Sequence, residues 1–349
     1  MKTILAPKLP TNWSEREALR RKGQFWTPDW VAEAMVAYTA RSADLVFDPC
    51  IGKGVFYKAL KNLSPDKAFL GMDNSYEIIR EAMLEGSLGE DVNVEIGDFI
   101  LNPPQRLFKA IVANPPYIRH HRLSLELKNH LKQISLRVVG EILDGRAGLH
   151  IYFLIQSLNM LDKDGRLAFI MPADTCEGVF LKKLWAWISR KFRIDGVITF
   201  APEATPFPGV DTNALVFLIS REAPEKKLKW VRCLVPHNNE LIRLVKNDLK
   251  GSHYTNIEIH ERDLSDAISI GFSRTPTLDC DTAFTLGDFA RVMRGIATGA
   301  NEFFFLTSAR AEELRIPKEF FLPAVGRTRD VEGAYPVASR VNLLETGIR

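Results

Sequence analysis

The sequence predicts an α/β fold: a mostly parallel sheet covered by helices on both faces, ending in an antiparallel edge hairpin and followed by a smaller mixed domain. Three observations carry this. Short apolar runs of strand length alternate with amphipathic stretches of helical period from Asp44 to Lys191, which is the rhythm of βαβ units. Two strand-like segments, Gly196–Phe200 and Ala214–Ser220, then succeed one another with no helical pattern between them, as suits a hairpin at a sheet edge. From Arg221 the alternation is lost. The expected domains are therefore residues 1–220 and residues 221–349.

Each element has its own reason. Residues 1–22 are polar and basic. The segment Pro28–Tyr38 opens with a proline behind Thr27, a good N-cap, and carries Val31, Met35 and Tyr38 at helical spacing. Asp44–Asp48 reads as a strand, followed by a glycine-containing turn and a helix from Val55. Ala68–Asp73 is a second strand and Tyr76–Met83 the helix after it. Val92–Ile96 and Ala110–Ala113 are further strands. Gly148–Leu161 is a long apolar helix, Arg166–Met171 a fifth strand, and Leu181–Lys191 a helix before the hairpin. No internal repeat interrupts the order.

Composition narrows the class. The 349 residues are 46% hydrophobic and 26% charged, ordinary globular usage that excludes disorder as the overall reading. No apolar run approaches the roughly 18 residues of a membrane helix. Pro7 and Pro10 fall where a signal-peptide core would have to develop. The expectation is a soluble protein with no membrane partner. Cys50, Cys176, Cys233 and Cys280 form no C-x-x-C pair, and no histidine lies at zinc-finger spacing from them. No metal and no disulfide framework is expected, and the setting reads as a reducing cytoplasm. A net charge of +3 is too small to name a partner.

The chemistry begins at Asp48-Pro49-Cys50-Ile51-Gly52-Lys53-Gly54, directly after a strand and before a helix. Glycines there let the backbone turn sharply and approach a ligand closely. Alone, such a turn is as well explained as a tight strand-to-helix connection. Two more carboxylates change that reading. Asp73 ends the second strand, where it can accept both ribose hydroxyls of a nucleoside. Asp98 ends the third, where it can accept an adenine amine while Phe99 stacks on the ring. Together they describe a nucleoside pocket at the carboxyl ends of successive parallel strands. The turn is D-P-x-x-G-x-G rather than the G-x-G-x-x-G of dinucleotide enzymes. A carboxylate at Asp48 repels a pyrophosphate and welcomes a cationic sulfonium nucleoside with an ammonium group, which favours S-adenosylmethionine as cofactor.

Asn114-Pro115-Pro116-Tyr117 follows the fourth strand. An exocyclic base amine is a poor nucleophile because its lone pair is delocalised into the ring. The Asn114 side-chain oxygen and the Pro115 carbonyl can each accept one of its N–H bonds. That draws the nitrogen toward tetrahedral geometry and stabilises the developing positive charge. Pro115 and Pro116 fix the backbone so that the two oxygens converge, and Tyr117 offers a stacking face for an extruded base. His120 and His121 lie just beyond; the chemistry needs neither, so they read as loop residues near phosphate or base.

On these residues the chain resembles the gamma-class, TaqI-like amino-methyltransferases that act on N6 of adenine in DNA. Gly23-Gln24-Phe25-Trp26-Thr27-Pro28 is similar to that family's N-terminal cofactor motif and precedes the glycine turn, as the gamma order requires. The likeness spans roughly residues 23–220. It implies a class I S-adenosylmethionine-dependent methyltransferase fold, Rossmann-like, and gives site residues by position. Thr27 would help to hold the methionine carboxylate, and Asp48, Cys50, Gly52 and Gly54 would line the methionine end. Asp73 would bind ribose, Asp98 and Phe99 the cofactor adenine, and Asn114, Pro115, Pro116 and Tyr117 the target base. Gly165–Pro172 is similar to the family's sixth motif. Phe207, in Pro206-Phe207-Pro208-Gly209, falls where the family places a second aromatic against the flipped base, with Phe200 as its competitor.

Leu286 to Phe304 resembles a segment of the family's target recognition domains, where Arg291, Arg294, Arg327 and Arg329 could meet phosphates or guanine edges. The chain stops soon after, so residues 221–349 are expected to be an incomplete recognition domain or one finished by a partner. Few residues precede Gly23, too few for a nuclease core, so any cognate nuclease is expected as a separate chain, and a separate restriction or specificity subunit is among the expected partners. The implied activity is site-specific N6-adenine methylation of double-stranded DNA, with base flipping. The alternatives are N4-cytosine methylation, though that group more often carries Ser and Trp in the tetrapeptide, and an RNA or protein-glutamine N-methyltransferase. A DNA-binding specificity subunit without catalysis is a further alternative, against which an intact Asn114 and Tyr117 argue.

Overall fold

The computed structural model describes residues 26–41, 43–143, 145–173, 182–207, 213–236, 239–251, 254–276, 284, 286–291, 301–324 and 344–346. Gly23–Phe25, Cys176, Pro208–Gly209, Cys280, Arg294, Arg327 and Arg329, all named above, lie outside the described residues. The chain divides into two compact units, Met1–Leu278 and Asp279–Arg349.

In the first unit the elements run α1 (Asp29–Thr39), β1 (Leu45–Asp48), α2 (Val55–Leu63), β2 (Ala68–Asp73), α3 (Tyr76–Leu84), β3 (Asn93–Ile96) and β4 (Phe108–Ala113). They continue with α4 (Leu125–Val139), α5 (Leu149–Asn159), β5 (Leu161–Pro172), α6 (Lys182–Lys191), β6 (Arg193–Phe200), β7 (Ala214–Ser220), β8 (Lys227–Cys233), α7 (Asn239–Lys246), β9 (Ile257–Asp263) and α8 (Leu264–Ile270). Nine strands form one sheet in the order β3-β2-β1-β4-β5-β7-β6-β8-β9. The run β3-β2-β1-β4-β5 is parallel throughout.

Alternation along each strand feeds two hydrophobic layers, one on each sheet face. Phe47, Ile111, Leu167 and Phe169 pack on one side with Ile151, Leu154 and Leu158 of α5. Their neighbours Val46, Val112, Ala168 and Ile170 pack on the other with Met35 of α1 and Phe56 and Leu60 of α2. Helix α1 is buried on nearly every side, Trp30 to Thr39 included apart from Glu33, so it is a rigid internal strut. Its N-cap position falls on Pro28, with no side-chain cap; Thr27, expected as the cap, is used elsewhere.

The hairpin expected at the edge lies inside the sheet. β7 is antiparallel to both β5 and β6, but β8 adds parallel to β6 and β9 antiparallel to β8 beyond it. The sheet therefore continues past residue 220. The helical rhythm fades there because β7 passes to β8 without a crossover helix. The addition is locked in by buried aromatics: the Trp230 indole N–H donates to the Phe272 carbonyl at 3.0 Å, and Phe272 lies 4.6 Å from Trp185 and 5.1 Å from Phe217, ring to ring. Helix α4, with Ser124 capping it by accepting from Leu127 N–H, was not expected from the sequence.

In the second unit, among the described residues, Leu286–Phe289, Asn301–Phe304 and Ser308–Glu313 are short helices. Leu322–Ala324 pairs antiparallel with Leu344–Thr346. Arg291 is exposed. Among the described residues no helix is long and apolar enough to cross a membrane.

Candidate active site

Sheet topology decides where a ligand can sit. The chain leaves β1 toward β2 and β3 on one side and returns to β4 on the other, so strand order reverses between β1 and β4. At such a switch point the two carboxyl-end loops diverge and open a crevice. Asp48 ends β1 on one side of it and Asn114 directly follows β4 on the other. The cleft there is lined by Thr27, Asp48, Cys50, Gly52, Asp73, Asp98, Phe99, Asn114 and Pro116, all singled out from the sequence. Gly54, Pro115, Tyr117 and Phe207 do not line it.

Asp48 is fully buried. Its Oδ1 accepts from the Cys50 N–H at 3.0 Å, while its Oδ2 is buried without a hydrogen-bond partner. Burial pushes its carboxyl up to about 8, helped by the nearby Asp73 charge. A buried, half-satisfied carboxyl costs stability when charged, which is why it keeps its proton. Burial and the Asp48 and Asp73 charges likewise raise the Cys50 thiol well above its ordinary value.

Asp73 is held in place by two backbone donors, Gly52 N–H to Oδ2 at 2.9 Å and Ser75 N–H to Oδ1 at 3.0 Å. One accepted bond per oxygen leaves each with lone-pair capacity toward the cleft. Burial raises its carboxyl above the usual range. Gly52 (φ 51°) and Gly54 (φ 78°) both occupy the left-handed region. A Cβ on Gly52 would stand 3.2 Å from Trp26 Cζ3, and one on Gly54 would meet Leu88 Cδ2 at 2.2 Å. The turn therefore needs glycine for conformation and for space. Asp98 Oδ1 accepts from the Ile100 and Leu101 N–H groups at 2.8 and 3.1 Å, which leaves Oδ2 out of that turn. Phe99 lines the cleft while its ring packs 5.9 Å from Phe47 and 5.3 Å from Phe153.

Asn114 Nδ2 donates to Thr27 Oγ1 at 3.0 Å. The loop beyond is pinned too: Ile118 N–H donates to the Pro116 carbonyl, and the Leu149 N–H at the start of α5 donates to the Ile118 carbonyl, both at 2.9 Å. This brings His150 against Tyr117, ring centroids 5.8 Å apart and 76° between planes. Phe207 stands on Tyr117 as well, at 6.4 Å and 77°. Phe200 instead packs on Trp30 at 5.7 Å. Burial pushes the His150 imidazole down to about 3, so this ring is neutral at physiological pH.

Sequence reasoning missed several neighbours. Ser75, Ile78, Leu127, Leu149 and Phe153 line the cleft, and His150 supports Tyr117. Leu127, Leu149 and Phe153 carry only helical periodicity, which does not say which apolar face meets a ligand. Trp26, also lining the cleft, sits in the motif already quoted and was legible there.

The residues present fit S-adenosylmethionine. The unpartnered buried Asp48 Oδ2 suits an ammonium, the doubly anchored Asp73 suits a ribose diol, and the space above Gly52 is one that a Cβ would fill. Among the described residues, no group of three or more His, Cys, Asp or Glu gathers as metal ligands would.

Fold and cleft together define a class I S-adenosylmethionine-dependent methyltransferase fold. A chain from Listeria monocytogenes described as a class I S-adenosylmethionine-dependent methyltransferase superposes with a TM-score of 0.53 at 14% identity, over 68% of this chain and 78% of that one. The methyltransferase subunit of a type I restriction-modification system from Streptococcus thermophilus does so with 0.55 at 16% identity, over 73% and 60%.

The family model of the Eco57I restriction-modification methylase matches residues 56–207, and that of the C-terminal domain of the type II methyltransferase M.Eco57I matches residues 275–346. Type II methyltransferase M.AccI of Acinetobacter calcoaceticus is 25% identical over 330 residues, covering 91% of this chain and 59% of its own length. M.XamI of Xanthomonas campestris pv. amaranthicola is 26% identical over 325 residues, covering 89% and 58%. These two models and relatives support a gamma-class-like DNA methyltransferase family for the chain. The chain spans somewhat under six-tenths of the length of these two relatives.

Proposed function

We propose that this chain is the catalytic part of a type II restriction-modification DNA methyltransferase that methylates the N6 amine of an adenine flipped out of duplex DNA. One observation carries the reading: Asn114-Pro115-Pro116-Tyr117 opens at the switch point directly across from Asp48, with Asn114 and Asp48 lining one cleft. When bound, S-adenosylmethionine supplies an electrophilic methyl group on a sulfonium. Asp48 would hold its ammonium, Asp73 its ribose, and Asp98 with Phe99 its adenine.

The rest is done by the chain. The Asn114 Oδ1 and the Pro115 carbonyl accept the two N–H bonds of the target amine and pull its lone pair out of conjugation. Tyr117, braced by perpendicular contacts with His150 and Phe207, offers a fixed face on which the extruded base stacks. A neutral His150 and the absence of any need for a strong base agree with proton loss to solvent after transfer. Arg119, His121 and Arg122 are exposed in the loop that follows and would meet backbone phosphates beside the flipped nucleotide. Within residues 221–349, those beyond the nine-stranded sheet would hold the target recognition function.

The test is transfer of a labelled methyl from S-adenosylmethionine to unmethylated duplex DNA, followed by nucleoside analysis. Label in N6-methyladenine is expected. Label in N4-methylcytosine would keep the mechanism and change the base. Label in RNA or in a protein glutamine alone would overturn the DNA reading.

A further inference from the structure

Resting on that reading, we infer that Thr27 positions Asn114 for catalysis, rather than serving the cofactor's carboxylate as the family resemblance implies. The observation is the hydrogen bond from Asn114 Nδ2 to Thr27 Oγ1 at 3.0 Å, between groups far apart in sequence. Thr27 is buried, only 4% exposed, so water does not compete for this bond.

An asparagine amide turns about its last torsion in a broad, two-fold well. In one orientation it offers oxygen to the substrate, in the other NH2. For an incoming base amine the difference is decisive. The oxygen accepts an N–H and pulls the nitrogen toward tetrahedral geometry, whereas the NH2 would set donor against donor. Taking the Nδ2 hydrogen on the Thr27 side puts Oδ1 on the opposite branch of the planar amide. Thr27 thereby selects the productive orientation before any substrate arrives.

The placement of Thr27 is rigid for reasons that start in the sequence. It precedes Pro28, which restricts it to extended backbone, and Pro28 itself is extended at φ −64°, ψ 147°. Pro28 opens α1, whose Trp30 is buried and meets Phe200 at 5.7 Å. The Asn114 end is equally fixed, since it leaves the central strand β4 into two prolines. Two rigid supports joined by one hydroxyl form a positioning contact.

The test compares Thr27→Val, which keeps shape and loses the hydroxyl, with Thr27→Ser, which keeps the hydroxyl. Parent and variants are assayed side by side for labelled methyl transfer to unmethylated duplex DNA and for S-adenosylmethionine binding by calorimetry. Thr27→Val is expected to lower kcat by roughly ten- to hundredfold, the cost of a misplaced catalytic group, with cofactor Kd within about twofold of the parent. Thr27→Ser should regain most of the lost rate. If Thr27→Val instead weakens cofactor binding and leaves kcat at the parent value, the hydroxyl serves the cofactor and the inference is overturned. A Thr27→Val rate equal to the parent's overturns it as well. Should Thr27→Val fail to fold, Thr27→Ala carries the same two outcomes. A parent whose labelled methyl goes only to RNA or to a protein glutamine overturns the DNA reading itself, a result distinct from a parent active on DNA with an unaffected variant.

Discussion

Replacing Asp48 with Asn should make the cofactor-free protein more stable and at the same time ruin it as a cofactor-binding protein. Burial lifts the Asp48 carboxyl from 3.8 to about 8. Between about pH 4 and pH 8 the folded chain therefore holds a proton that the unfolded chain has released, and stability falls as pH rises through that window, by about 1.4 kcal/mol per pH unit. At pH 7 the accumulated penalty is on the order of 4 kcal/mol. Asn keeps an oxygen for the Cys50 N–H, which now holds Oδ1 at 3.0 Å, and brings no charge to bury. Thermal unfolding from pH 4 to pH 9 should show Asp48→Asn melting above the parent at pH 7 to 8, the gap closing toward pH 4. Calorimetry should show S-adenosylmethionine binding weakened roughly ten- to hundredfold, the value of a hydrogen bond to a charged group. A stability difference that does not change with pH would refute the burial argument. Unchanged cofactor affinity would refute the ammonium assignment.

Three further outcomes are expected. Asn114→Ala and Tyr117→Ala should each abolish methyl transfer while cofactor affinity measured by calorimetry survives; parental rates in both would remove the base-engaging role of this loop. Asp73→Ala should weaken cofactor binding by at least about tenfold, because it loses contacts made in ground and transition states alike and also releases the Gly52 and Ser75 amides it now anchors. Gly54→Ala should destabilise the fold by roughly 1–3 kcal/mol, since its φ is 78° and the added Cβ falls 2.2 Å from Leu88 Cδ2; an unchanged melting temperature would show that the turn relaxes freely.

The fold was legible because burial imposes period on sequence. Val46-Phe47, Ile111-Val112 and Leu167–Ile170 send alternate side chains to the two layers, and Ala68–Asp73 and Ala214–Ser220 emerge as read. The illegible part lies past Ser220. A strand added without a crossover helix has no partner rhythm to mark it, and β8 is held by pairing with β6 and β9 together with the meeting of Trp230, Phe272, Trp185 and Phe217. The expected edge became interior for that reason.

The sequence by itself determined which candidate site residues the chain carries and how they are spaced. A glycine turn behind a strand-ending aspartate, two more carboxylates at strand ends, and Asn114-Pro115-Pro116-Tyr117 are local patterns whose backbone needs are met within a few residues. Only the tertiary structure decided how those patterns meet. The reversal of strand order sets Asp48 opposite Asn114, and burial turns Asp48 from an ordinary carboxylate into a carboxyl that holds its proton up to about pH 8. Chain folding also brings His150 and Phe207 onto Tyr117 and the Thr27 hydroxyl onto the Asn114 amide. Burial and contact between distant segments are properties of the packed chain, and no stretch of sequence short enough to read as a motif contains them.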